Sequence, residues 1–215
     1  CRGTAYHGIG NADDLAVVAI EPIPANNGLL IQDASFLQGV RDLCDRYGVL
    51  LLFDEVISGF RVAFGGAAEY YGIRPDVMAF GKIIGGGMPV GAYAASAEIM
   101  DNVAPVGPVY QAGTLSGNPV AMAAGAGQLS VCLQPGFYED QERRTRRLVD
   151  PILDHAERNG QPLRIFTRGS NFLVGLQRPH PHPPKQRDRS GQHGTLQSVA
   201  CRPARAGDLS RPLRI

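Results

Sequence analysis

"VLLLFDE", residues 49–55, sets the fold class. Five apolar residues run without a polar break and stop at two acidic ones. A strand with one face in water alternates apolar and polar residues. An unbroken run reads instead as a strand covered on both faces, the usual state in a parallel sheet. The residues before it supply the crossover that parallel strands need. Residues 33–47, "DASFLQGVRDLCDRY", put Phe36, Leu37, Val40, Leu43, Cys44 and Tyr47 on one helical face. Asp33 is placed to cap that helix and Gly48 to stop it. Earlier still, "LAVVAIEP" (15–22) is another apolar, β-branched run, ended by Pro. Strand, helix and strand in this order make a βαβ unit, and the chain reads as α/β with a mostly parallel sheet.

The alternation continues downstream. "AAEYYG" (67–72) reads as a short helix, "DVMAFG" (76–81) as a strand and "VGAYAAS" (90–96) as a further strand. "GNPVAMAAGAGQLSVCL" (117–133) is small, apolar and Ala-rich, a helix suited to tight packing, with Asn118 as cap and Pro119 at its first position. Residues 137–159 form a charged amphipathic helix in which Pro151 predicts a kink. "LRIFTRGSNFLVGL" (163–176) is strand material. The organisation expected is an irregular remnant over 1–14, a large α/β domain over 15–160, the start of a smaller C-terminal domain over 161–176, and a Pro/Arg-rich tail over 177–215.

That tail holds eight Lys/Arg against two Asp/Glu, six of the 16 prolines, and no Phe, Trp or Tyr. It carries too little apolar surface to offset its ordering entropy and is expected to be disordered. Its composition matches GC-rich DNA read out of frame. The whole chain has 215 residues and a net charge of +1, which points to neither a nucleic-acid nor a membrane partner. No apolar run reaches the roughly 18 residues that span a bilayer. Four cysteines, Cys1, Cys44, Cys132 and Cys201, form no CxxC pair, so neither a metal site nor a disulfide framework is expected, and a reducing cytoplasm is the default.

The chemistry is concentrated in "AFGKIIGGGMPVG" (79–91). Lys82 is one of only two lysines, the other being Lys185. A phosphate loop GxxxxGK[ST] would need Gly at 76 and Ser or Thr at 83, where the chain has Asp76 and Ile83. The dinucleotide pattern GxGxxG fails at Val90. What remains is three polar groups at the ends of successive apolar runs: Asn26, Asp54 and Lys82. Parallel sheets bind ligands at the carboxyl ends of their strands, so the spacing brings these three toward one pocket. A Lys in a dry setting can act as a Schiff-base nucleophile. An Asp opposite it can keep a pyridinium nitrogen protonated. Gly85, Gly86 and Gly87 would let backbone approach a planar cofactor. Each residue alone has a plainer reading, Asp54 as a turn residue and Lys82 as a surface cation.

"LLLFDEVISGFRVAFGGAAEYYGIRPDVMAFGKIIGGGMPVGAY" resembles the core of the class III, pyridoxal-phosphate-dependent aminotransferases. "PVYQAGTLSGNPVAMAAG" (108–125) is similar to the glutamate-1-semialdehyde 2,1-aminomutase branch of that family. The resemblance covers about residues 15–172. It implies a fold type I large domain that binds pyridoxal 5'-phosphate and acts as a homodimer. It implies that Lys82 bonds the cofactor covalently, that Asp54 pairs with the pyridine nitrogen, and that Val56 packs on the ring. Asn26 is implied near the ring's 3′ oxygen, and Glu21 in the same pocket. Gly113 and Thr114 are implied at the phosphate, typically that of a neighbouring subunit. The reaction implied moves an amino group within one molecule, glutamate 1-semialdehyde to 5-aminolevulinate, with Lys82 shuttling the proton. A class III transaminase using another amino donor, and a non-catalytic fragment of this fold, stay open beside it. The family's N-terminal region and most of its C-terminal domain are expected to be missing, which makes the fold truncated at both ends.

Overall fold

The computed structural model describes residues 15–176. The expectations for 1–14 and 177–215 fall outside the described residues. Four strands form one sheet in the order β1 (Val17–Ile20), β2 (Leu50–Asp54), β3 (Val77–Phe80) and β4 (Ala92–Ala95). The first three are parallel and β4 runs antiparallel to β3. The antiparallel direction follows from the short link: the eleven residues between β3 and β4 hold a turn but no full crossover helix.

Helix α1 (Ala34–Tyr47) is the crossover from β1 to β2. Asp33 caps it as the sequence predicts, accepting from the Ser35 amide at 2.9 Å, and Gly48 ends it in the left-handed region. Its apolar stripe buries Leu37, Val40 and Cys44 against Leu51 and Phe53 of β2 and against Ile73. Truncating one such side chain, as in Leu37→Ala, costs about 2–5 kcal/mol. Tyr47, expected on that face, is exposed, and Arg41 is buried in the same stripe instead.

The other sheet face departs from expectation. Val17, Leu50 and Tyr93 alternate with the core residues and point away from α1, and all three are exposed. Among the described residues, then, the apolar runs are covered on one face only. Asp54 belongs to this open face, two residues beyond Leu52 on β2.

Helix α2 (Gly66–Tyr71) precedes β3, and helix α3 (Ala97–Met100) follows β4. Helix α4 (Pro119–Cys132) starts at Asn118, whose side chain accepts from the Val120 and Ala121 amides at 3.0 and 3.2 Å. Helix α5 (Phe137–Arg158) runs through Pro151 without ending. The strand material at the end is a hairpin, β5 (Leu163–Arg168) with β6 (Asn171–Leu176). It packs on α5, and Leu173 joins a second small core with Ile23, Leu29 and Ala67.

Candidate active site

Register brings the polar strand ends level. Ile20 pairs with Phe53 and Asp54 with Ala79, so Glu21 and Asp54 leave their strands side by side, with Lys82 just past the end of β3. Asp54 Oδ1 accepts from the Val56 amide at 3.0 Å, which leaves Oδ2 without a hydrogen-bond partner among the described residues. Glu21 Oε1 accepts from the Ala25 amide at 3.1 Å, closing the turn that carries Asn26. The three charges feel one another. Burial pushes the Glu21 carboxyl above the ordinary carboxylate range, the Ala25 amide pulls it back, Asp54 adds to the rise and Lys82 opposes it. No salt bridge holds Lys82 to either carboxylate among the described residues.

Lys82 opens a one-turn 3₁₀ helix, Lys82–Gly85, with φ at 52°. A residue with a Cβ in the left-handed region costs about 1–2 kcal/mol relative to its ordinary conformations. The surroundings hold it there. Gly86 (φ 57°) caps the turn, and its Cα faces the Ala124 carbonyl of α4 so closely that a methyl group would overlap it. Gly125 faces the Ile84 carbonyl in the same way. Backbone therefore lies on backbone between the lysine turn and α4, and this is why α4 is built from Ala and Gly. Two of the three consecutive glycines are thus used by protein packing on protein: Gly85 against Val90 and Gly86 against α4. Only Gly87, at φ 91° with open space beside it, keeps room for anything else. The expectation that all three clear space for a cofactor is corrected to that extent.

Lys82 is exposed, which corrects the expectation of a dry setting. It stands two residues beyond the end of β3. Val56 lies beside the lysine: its Cγ1 would be 3.2 Å from a methyl group on Gly81, the residue before Lys82. Asn26 is exposed in the turn after β1, at the same end of the sheet. Gly113 and Thr114 lie in an exposed turn ahead of α4, tied by the Ser116 amide to the Gly113 carbonyl at 2.9 Å. The fold thus gathers Glu21, Asp54, Val56 and Lys82, sets Asn26 beside them, and leaves Gly113 and Thr114 facing outward.

Sequence reading missed two features here. Glu55 is fully buried and bonded on every side; an acidic residue after a strand carries no periodic signal for that. The Gly86–Gly125 approach was also missed, although the small residues of α4 were its trace. Among the described residues no group of His, Cys, Asp or Glu is arranged to hold a metal ion, and no helix is long and apolar enough to cross a membrane.

The family model described as aminotransferase class-III matches residues 7–199. That is wider at both ends than the span carrying the resemblance in sequence. A glutamate-1-semialdehyde 2,1-aminomutase from Desulforudis audaxviator is 52% identical over 165 residues, covering 77% of this chain and 38% of that protein. Among solved structures, an omega-transaminase from Sphaerobacter thermophilus matches with TM-score 0.76 and 37% identity, over 83% of this chain and 41% of the other. A transaminase with PLP bound matches with TM-score 0.73 and 32% identity, over 79% and 40%. The chain spans about two fifths of the length of these relatives. Family profile, identity and backbone agree: the chain belongs to the class III aminotransferases, a family of pyridoxal-phosphate-dependent enzymes.

Proposed function

We propose that this chain is the cofactor-binding core of a glutamate-1-semialdehyde 2,1-aminomutase, converting glutamate 1-semialdehyde to 5-aminolevulinate by intramolecular amino transfer. The observation that carries the reading is the convergence of Glu21, Asp54 and Lys82 at the carboxyl ends of three parallel strands. The 52% identity to an aminomutase supports the choice of reaction within the family.

The donor set fits pyridoxal phosphate. An amine that is not locked in an ion pair is free to bond an aldehyde. A carboxylate oxygen without a partner can accept from a ring N–H. An apolar side chain against Gly81 can meet a ring face. Bound there, the cofactor supplies an electron sink for a carbanion formed next to nitrogen. The chain's own residues do the rest. Asp54 keeps a proton on the ring nitrogen. Val56 fixes the plane of the ring. Lys82 Nζ, on its left-handed residue, would carry the proton between the substrate carbon and the cofactor's C4′ carbon. Asn26 orients the ring from the β1 side. Gly113 and Thr114 present amides to a phosphate held by a second copy, which accounts for their outward position in a homodimer. A formal net charge of +1 is compatible with a small amino-aldehyde as the partner, in a reducing cytoplasm.

A second reading is favoured by the solved structures, which include transaminases at 37% and 32% identity: amino transfer between two different molecules on the same site. Supplying glutamate 1-semialdehyde alone, and then with a separate amino donor and keto acid, distinguishes the two. Product from the semialdehyde alone supports the aminomutase; product only with the added pair supports the transaminase. No shift of the cofactor's visible absorbance on mixing with pyridoxal phosphate, and no product in either assay, supports the non-catalytic fragment.

A further inference from the structure

Glu55 stands next to Asp54 yet points the other way. It is fully buried, and every polar group it owns is engaged. Its amide donates to the Ala79 carbonyl of β3 at 2.8 Å, and its carbonyl accepts from the Gly59 amide at 2.8 Å. Its carboxylate accepts from the Ser58 hydroxyl, from the Ala67 amide at 3.0 Å and from the Ala68 amide at 2.8 Å. Gly66, at φ 68°, has no Cβ because the Glu55 carboxylate fills that space. One residue therefore ties together the end of β2, the adjoining residue of β3, the 55–59 turn and the first turn of α2.

Burying a carboxylate is costly unless it is fully bonded, and a lesser device would have capped a six-residue helix. A Ser or Asp at Gly65 could cap α2 from its own N-terminus. The location of Glu55 explains why the carboxylate comes from β2 instead. The turn it clamps carries Val56, whose amide is the hydrogen-bond donor to Asp54 Oδ1 and whose side chain abuts Gly81 beside Lys82. The β3 residue it grips, Ala79, pairs with Asp54 and precedes Lys82 by three. If the clamp loosens, Val56 is free to turn away, and Asp54 loses both its donor and its fixed direction.

We infer that Glu55 is a positioning residue, holding the Asp54 carboxylate and the Val56 side chain in register with Lys82 through a buried clamp on the 55–59 turn. The inference rests on the cofactor reading of Asp54 and Lys82 given above. Its consequence is that the charge-holding geometry at the ring nitrogen depends on a residue that never touches the cofactor.

The test uses the full chain and two variants, Glu55→Gln and Asp76→Asn. Gln keeps the volume but turns an N–H₂ toward amide donors. Asp76→Asn lowers stability far from the site and controls for loss of stability alone. Two quantities are read. In the chain without cofactor, hydrogen exchange at the Val56 amide reports its bond to Asp54. With pyridoxal phosphate added, the dissociation constant and the pH midpoint of the bound cofactor's visible absorbance report the grip of Asp54. Glu55→Gln is expected to speed Val56 exchange at least tenfold, weaken cofactor binding at least tenfold and move the pH midpoint, while Asp76→Asn changes none of the three. Should Glu55→Gln keep parental Val56 exchange, or keep parental binding and midpoint, the positioning role is overturned and Glu55 is a helix cap only. If the parent chain itself binds no cofactor, the cofactor reading has failed, and Val56 exchange alone decides whether the clamp holds Asp54.

Discussion

The two ends of the parallel strands treat charge in opposite ways. At the amino-terminal end of β3, Asp76 Oδ2 accepts from Arg41 Nη1 and from the Leu51 amide, each at 2.7 Å, and Arg41 also reaches Asp45. Burial alone would raise the Asp76 carboxyl. The Leu51 amide and the guanidinium outweigh it and hold the group below the ordinary carboxylate range. At the carboxyl end, Glu21 is raised, Asp54 keeps an oxygen unpaired, and Lys82 sits in a conformation few side chains tolerate. One end pairs its charges and holds the fold together, although Arg41 Nε is buried there without a hydrogen-bond partner. At the other end Glu55 is fully bonded, while Glu21, Asp54 and Lys82 are left short of partners and carry the candidate chemistry. Cleft size alone would have misled: a cleft of about 580 Å³, lined by Arg41, Arg74, Asp76 and Ile99, lies at the charge-paired end. Arg41 and Asp76 are already each other's partners there.

The sharpest way to break this comparison is Lys82→Gly. It should abolish covalent capture of pyridoxal phosphate completely. It should also leave the fold as stable as before, or up to about 1 kcal/mol more stable. Relief of about 1–2 kcal/mol of left-handed strain exceeds the added unfolded-state freedom of glycine, about 0.5–1 kcal/mol. A clear loss in denaturant midpoint would mean that Lys82 is structural. Asp76→Asn should act in reverse. It removes a charge-assisted pair with a mostly buried guanidinium and costs about 2–3 kcal/mol, read from urea unfolding. Cofactor binding at the far end should stay within twofold.

Much of this was legible from residues, and the failures have physical causes. The strand runs 49–53 and 76–81, the Asp33 and Asn118 caps and the small-residue helix depend on local pattern, and each appears where its pattern put it. Asp54, Val56, Glu21 and Lys82 come together because strand ends in a parallel sheet must. The open sheet face was not legible: an apolar run records what a strand packs against in a complete domain, not what the described residues supply. Nor were the pairs that close over distance. Arg41 with Asp76 and Gly86 with α4 join residues 35 or more apart, and nothing in a short window marks such a pair.

A third substitution sharpens the boundary between the two ends. Gly125→Ala puts a methyl group into the Ile84 carbonyl and should cost about 1–3 kcal/mol as the lysine turn and α4 separate. Unlike Asp76→Asn it should also weaken cofactor binding, because the turn that moves holds Lys82. Equal binding in the two variants would detach the lysine from α4.

The smallest effect is in pH. The depressed Asp76 binds fewer protons folded than unfolded. Its stabilisation is whole above the unfolded carboxylate value, about 3.9, and is lost as pH falls through the folded value. The raised Glu21 works the other way. Its favourable contribution is whole below the unfolded value, about 4.3, and is lost as pH rises through the folded one. Glu21→Gln should therefore gain a few tenths of a kcal/mol at pH 7 and nothing at pH 3.5, a discounted figure suited to a half-exposed group. Thermal unfolding across that range checks the sign. A loss at pH 7 would show that ionised Glu21 is held by a favourable partner.

The most direct test of the central claim is covalent mapping. The chain is mixed with pyridoxal phosphate, reduced with borohydride, digested and read by mass spectrometry. The fold and the strand-end geometry predict one pyridoxyl group, on Lys82, that disappears in Lys82→Gly and weakens in Asp54→Asn. An adduct at Lys185 or the amino terminus that equals the one at Lys82, or no adduct at Lys82, would contradict it.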